Sequence, residues 1–172
     1  MRAAIVGGAF LATIPAANWL IGNAGTYCVP DGPCLIPVAP GLMAPSGVLM
    51  IGLALVLRDW LHELAGVRWE LAAIVAGGFV SLGVAPPALA LASVAAFTLG
   101  ELANLGVYAP LRRRRLMLAV ALSGLAGAII DSAVFLWLAF GSLDFIAGQV
   151  VGKWWMTLLA LPLIALARRA RA

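Results

Sequence analysis

Six apolar runs, 4–22, 46–65, 69–85, 87–108, 116–140 and 145–167, fill nearly the whole chain. Each is long enough to cross a hydrocarbon core of ~30 Å as a helix rising about 1.5 Å per residue. In lipid every backbone N–H and C=O must be satisfied within the segment, so runs of this kind fold as helices. The expected fold is therefore an all-α integral membrane protein, a bundle of six transmembrane helices forming one transmembrane domain over 1–172. At 64% hydrophobic and 10% charged, with a mean hydropathy of +1.07, the chain is far more apolar than a soluble domain. No stretch is long or polar enough to form a separate soluble unit.

The basic residues give the orientation. Arg2 precedes the first run, Arg58 and Arg68 flank the second link, Arg112 to Arg115 follow the fourth run, and Arg168, Arg169 and Arg171 close the chain. The opposite links, 23–45, 84–88 and 141–145, hold no Lys or Arg. Because Lys and Arg mark cytoplasmic links, both termini are expected in the cytoplasm of a multi-pass protein of the inner cell membrane. The net charge of +4 and pI near 9.8 then reflect bilayer orientation, and no nucleic-acid partner is expected. Small-x-small at Gly22-Asn23-Ala24 would also suit a cleaved leader, but "PAANWLIG" carries the apolar run on to full span length and favours retention.

The one long loop, "NAGTYCVPDGPCLIPVAPGLMAP" (23–45), has too many prolines for regular helix and should face outside. Cys28 and Cys34 flank its "VPDGP" turn, as a small disulfide on an oxidising face or as two unpaired buried thiols. Two cysteines without nearby histidines make no metal site.

Polar residues inside the runs are the functional signal. An ionisable group at mid-span costs about 2.5–3.5 kcal/mol on insertion scales and is normally buried against partners. Thr98, Glu101, Asn104 and Tyr108 share one helical face; Asp131 is in line with Gly124 and Gly127; Gln149 and Lys153 are one turn apart. Asp131 lies about 22 Å from the inner end of its run and Lys153 about 12 Å from the outer end of the next. The two are therefore level enough to pair, either as a structural ion pair fixing register or as part of a binding site. Glu101, Asn104 and Gln149 add polar groups with no evident opposite charge, which favours the site. Asp59, His62 and Glu63 in "RDWLHE" gather near the inner boundary, as a solvated helix end or as candidates for coupling and gating. Trp19, Trp60 and Trp69 read as interfacial anchors. Of Trp154 and Trp155, adjacent and so pointing differently, at most one should face the interior beside Lys153.

Enzyme chemistry finds little footing. There is one histidine, no nucleophile with an adjacent base, no phosphate loop and no cofactor motif.

"AFTLGELANLGVYAPLRRR", "GLAGAIIDSAVFLWLAFGS" and "GQVVGKWWMTLLALPL" together resemble the queuosine-precursor transporters, a group also described as vitamin uptake transporters. The resemblance covers about 46–167, with "LRDWLHELAG" similar to the acidic end of an early span, matched by Asp59. It implies roles for Glu101, Asn104, Asp131 and Lys153. It departs at Ala128, where many members have Asn, and at Asn104, where many have Asp. The implied activity is uptake of a deazapurine, 7-cyano-7-deazaguanine or its aminomethyl relative, for tRNA modification. A carboxylate such as Glu101 or Asp131 can accept the adjacent N–H donors of such a ring. Lys153, Gln149 or Asn104 can donate to its carbonyl, and Trp154 or Trp155 can lie against its face. A substrate-binding subunit of an ATP-driven uptake complex shares the six-span plan and is the alternative. A homo-oligomer is compatible with either.

Overall fold

The computed structural model describes residues 2–30, 32–111 and 116–169; among these, the side chains of Asp59, Glu63, Leu105, Ala109, Leu116, Met117, Val120 and residues 160–169 are outside the description. Arg112 to Arg115 and Arg171, used above for orientation, fall outside it altogether, as do the side chains of Arg168 and Arg169.

Six helices form: α1 (Arg2–Asn23), α2 (Val48–Ala65), α3 (Val67–Val84), α4 (Pro87–Leu111), α5 (Leu116–Phe140) and α6 (Ile146–Arg169). Their junctions follow from local chemistry. A single residue, Gly66, separates α2 from α3, with φ +83° and its N–H donating to the His62 carbonyl at 2.7 Å; only glycine adopts that backbone without strain. Between α3 and α4, Ala85 is extended (φ −115°, ψ 152°), as a residue before proline must be, and Pro87 opens α4, where its missing N–H costs nothing.

Packing is inverted relative to a soluble bundle. Large apolar side chains such as Phe79, Leu91, Leu102 and Trp137 are exposed, while many of the buried positions are small, among them Ala17, Ala54, Ala90, Ala92, Ala96, Ala119 and Ala128 beside a few larger ones such as Phe10, Leu61 and Leu136. Without a hydrophobic drive between helices in lipid, small residues let backbones approach and dispersion holds them. The most extensive pairing is α4 on α5; α1 rests on α2 and α3, and α6 lies against α2 and α5. On length and composition α1, α3, α4 and α5 can each cross a bilayer. Against the expected six crossings, α2 spends its 18 residues partly on Arg58, Asp59 and Glu63.

The loop corrects the purely helical expectation. It folds as a three-stranded antiparallel sheet, β1 (Tyr27–Cys28), β2 (Cys34–Ala39) and β3 (Leu42–Pro45), in the order β1-β2-β3. Cys28 and Cys34 are cross-strand partners joined by a disulfide. β2 turns into β3 through Pro40 and Gly41, the glycine at φ +73°. Proline does exclude helix here, but it is tolerated in short edge strands and turns. The sheet is not a free flap. Cys34, Leu35, Ala44, Pro45 and Ser46 are buried, and β2 and β3 both pack on α6.

Candidate functional site

Two glycines bring α4 and α5 together. A Cβ built on Gly100 would sit 2.7 Å from the Asp131 Cβ and 3.1 Å from the Gly127 carbonyl; one built on Gly127 would sit 3.2 Å from the Asn104 Cβ. Asp131 is thereby pressed against the backbone of α4, with Asn104 beside the turn of α5 before it. A third glycine, Gly52, does the same for α2 and α6, since a Cβ there would lie 2.6 Å from Met156 and 3.6 Å from the Lys153 Cα.

Within this frame the polar residues form two clusters. In the first, Lys153 from α6 donates to the Asp131 carboxylate and, at 2.9 Å, to the Ser132 hydroxyl, both on α5. Lys153 and Ser132 are almost fully buried, and Gln149, one turn earlier on α6, is buried beside them. A charge so far from water needs its counter-charge and a second acceptor, and the adjacent residues Asp131 and Ser132 supply both. Ser132 was not among the sequence candidates; a hydroxyl on an apolar helix usually bonds its own backbone, and nothing in the chain marks this one as different.

The second cluster corrects the placement of Glu101. Glu101 does not share a pocket with Lys153; it forms an ion pair with Arg58 Nη1 of α2. Arg58 Nε also lies 3.5 Å from Glu70 of α3, and the other Glu70 oxygen is 2.6 Å from His62 Nδ1. The Arg58 guanidinium carbon is 5.8 Å from the centre of the Phe97 ring. Arg58 had served only to orient the protein, and Glu70 and Phe97 had no role. The missed signal was Arg58 itself, seven residues inside the end of the 46–65 run, where a cation must find partners or reach back to water. Of the coupling candidates, half-exposed His62 joins this cluster; the side chains of Asp59 and Glu63 are outside those described. Thr98 is exposed and turned to its own backbone, donating to the Val94 carbonyl at 2.8 Å.

The tryptophans separate as their adjacency requires. Trp155 is exposed and donates to the Val38 carbonyl of β2 at 3.2 Å. Trp154 lines a cleft between α5 and α6 with Gly124, Ala128 and Thr157, one turn from Asp131 and next to Lys153. The enclosed volume is about 20 Å³, room for a water molecule and not for a heterocycle. The polar groups expected to share one pocket fall into two ion-pair clusters, Asp131, Ser132 and Lys153 between α5 and α6, and Arg58, His62, Glu70 and Glu101 among α2, α3 and α4.

Comparison with known proteins agrees with the apolar architecture. No curated protein and no solved structure matches the chain. A family model does, over residues 81–167, half of the sequence, taking in Glu101, Asn104, Asp131, Gln149, Lys153 and both tryptophans and leaving out Arg58, His62 and Glu70. That family includes the queuosine-precursor transporters. A multi-pass helical protein with buried charges between its last helices and this match is a small-molecule carrier of the bilayer: the chain belongs to the putative vitamin uptake transporter family.

Proposed function

We propose that the chain imports a queuosine precursor, 7-cyano-7-deazaguanine or 7-aminomethyl-7-deazaguanine, across the inner cell membrane for tRNA modification. The observation that carries this reading is Lys153, buried on α6 and bonded to Asp131 and Ser132 of α5, beside the cleft that Trp154 lines. Lys153 and Asp131 neutralise each other while the cleft is closed. A ring bearing adjacent N–H donors on one edge and a carbonyl beside them can enter between them without stranding either charge. The carboxylate accepts from the donors, and Lys153 or Gln149 donates to the carbonyl. Trp154 then offers a face to the ring. Such a site rejects analogues that lack the matching groups, because its own buried polar atoms would be left unpaired. Access needs α5 and α6 to part, the kind of helix displacement by which carriers alternate around a midplane site.

The purified chain is expected to bind both deazaguanines and to bind guanine more weakly, as read by titration calorimetry. Absence of binding to all three removes the deazapurine reading. Uptake by vesicles containing this chain alone separates a self-sufficient carrier from the substrate-binding subunit of an ATP-driven complex, which would be inactive without its ATPase.

The orientation we propose has both termini in the cytoplasm and the disulfide-bearing sheet outside. It is supported by the arginine distribution and by a disulfide that an oxidising compartment maintains. Reporter fusions at either end should be active only in the cytoplasm, and a periplasmic signal from either end overturns it.

A further inference from the structure

Arg58 occupies Glu101 in a manner that resembles a ligand. Its guanidinium is a flat fork of N–H donors, set on a carboxylate and lying near an aromatic ring, Phe97, 5.8 Å from its carbon. The donor edge of a deazaguanine, a ring N–H beside an amino group, is a cyclic guanidine with the same N–C–N geometry and no charge. A carboxylate and an aromatic face that receive one can receive the other. We propose that Glu101 and Phe97 form a seat for a flat guanidine-type edge, and that Arg58 fills this seat as an internal stand-in until a ligand displaces it onto Glu70.

Three observations favour displacement over a fixed structural pair. Glu70, 3.5 Å from Arg58 Nε, offers the guanidinium a second carboxylate, so Arg58 keeps a counter-charge when it leaves Glu101, whose own carboxylate is then held by the ligand's N–H donors. The Glu101 side chain keeps 28% of its surface exposed while that of Arg58 keeps 4%, so an arriving ligand reaches the acceptor before the donor it replaces. Gly100, the residue before Glu101, packs on Asp131, which sets the two ion pairs at one level of the bundle. The edge that Glu101 receives is the one the proposed function gives to Asp131, so the seat at Glu101 holds the ligand before the α5–α6 cleft opens to it. A tethered competitor lowers apparent affinity by the fraction of time the seat is free. That the natural ligand is a deazapurine rests on the function proposed above; the seat itself does not.

The test uses methylguanidinium as the probe on the full-length protein. Arg58→Ala should gain thermal stability with millimolar methylguanidinium and not with methylammonium, and the gain should vanish in Arg58→Ala/Glu101→Gln. The native protein, its seat filled, should gain nothing. An equal shift in the native protein, no shift in Arg58→Ala, or a shift that survives Glu101→Gln overturns the seat. Arg58→Lys keeps a cation for Glu70 and takes the same titrations if Arg58→Ala does not insert. It should also bind 7-cyano-7-deazaguanine about tenfold tighter than the native chain, because a point charge is a poorer fork. Rescue by methylguanidinium without deazapurine binding in any variant would remove the substrate and leave the seat. Deazapurine binding without that rescue would do the reverse.

Discussion

Lys153→Met is expected to abolish uptake and to destabilise the folded protein by roughly 3–5 kcal/mol, the cost of breaking a buried pair by removing one partner. The methionine fills a similar volume, so the loss is electrostatic. Asp131 remains pressed against Gly100 with no cation, and the Ser132 hydroxyl loses its donor. Asp131→Asn/Lys153→Met removes both charges and should recover most of the thermal stability, since paired charges and uncharged residues of like volume are close in energy. Uptake should not return, because an amide offers one acceptor where the substrate edge needs two. Thermal unfolding and uptake of labelled 7-cyano-7-deazaguanine, measured on all three variants, separate the outcomes. A double variant that transports at the native rate would reduce the pair to a register device. A single variant that transports would remove Lys153 from the mechanism.

Gly148→Val should have the next largest effect. A Cβ at position 148 would collide with the Met43 carbonyl, whose carbon lies 2.6 Å from it, and would come within 3.2 Å of the Ala44 nitrogen. These are backbone atoms in a paired strand and cannot rotate away. Overpacking of a core by extra methylenes costs about 1–3 kcal/mol when side chains can adjust, and here they cannot. The expected result is that β3 separates from the start of α6, seen as a lowered unfolding temperature. A cysteine placed at Val38 should also become reactive to a membrane-impermeant maleimide. Unchanged stability together with unchanged labelling would show that the sheet does not depend on this contact.

The helices were legible because apolarity at this density leaves the backbone no other partner, and their ends because Gly66, Pro86 and Gly141 interrupt the runs. The sheet was not legible as a sheet. Its strands are two to six residues long, and the proline content that excludes helix obscured the Pro40-Gly41 turn that makes a hairpin. The Asp131–Lys153 pairing followed from depth alone, because two helices joined by a short link keep their levels. Depth could not say which way Glu101 turns. Glu101 follows Gly100 on α4, and one residue is a rotation of about 100°, enough to send a carboxylate to α2 and not to α6. Arg58 was read at the level of the whole chain, as one charge in a topology count, and its reach of six bonds went unused. Ser132 carries no periodic signal at all.

Three separate contacts bind the sheet to α6: the Met43 backbone on Gly148, Val38 on Gly152, and the indole N–H of Trp155 on the Val38 carbonyl. They span two turns of the helix that also holds Lys153. A helix stitched in this way cannot slide or rotate alone, because its first half and a disulfide-closed ribbon travel as a single rigid part. Widening the cleft beside Trp154 therefore falls to α5 and to α4, which is locked to it through Gly100 and Gly127. The carrier is divided into two halves, one fastened by strands and the other by glycines, with Lys153 reaching across the seam between α5 and α6 to Asp131 and Ser132.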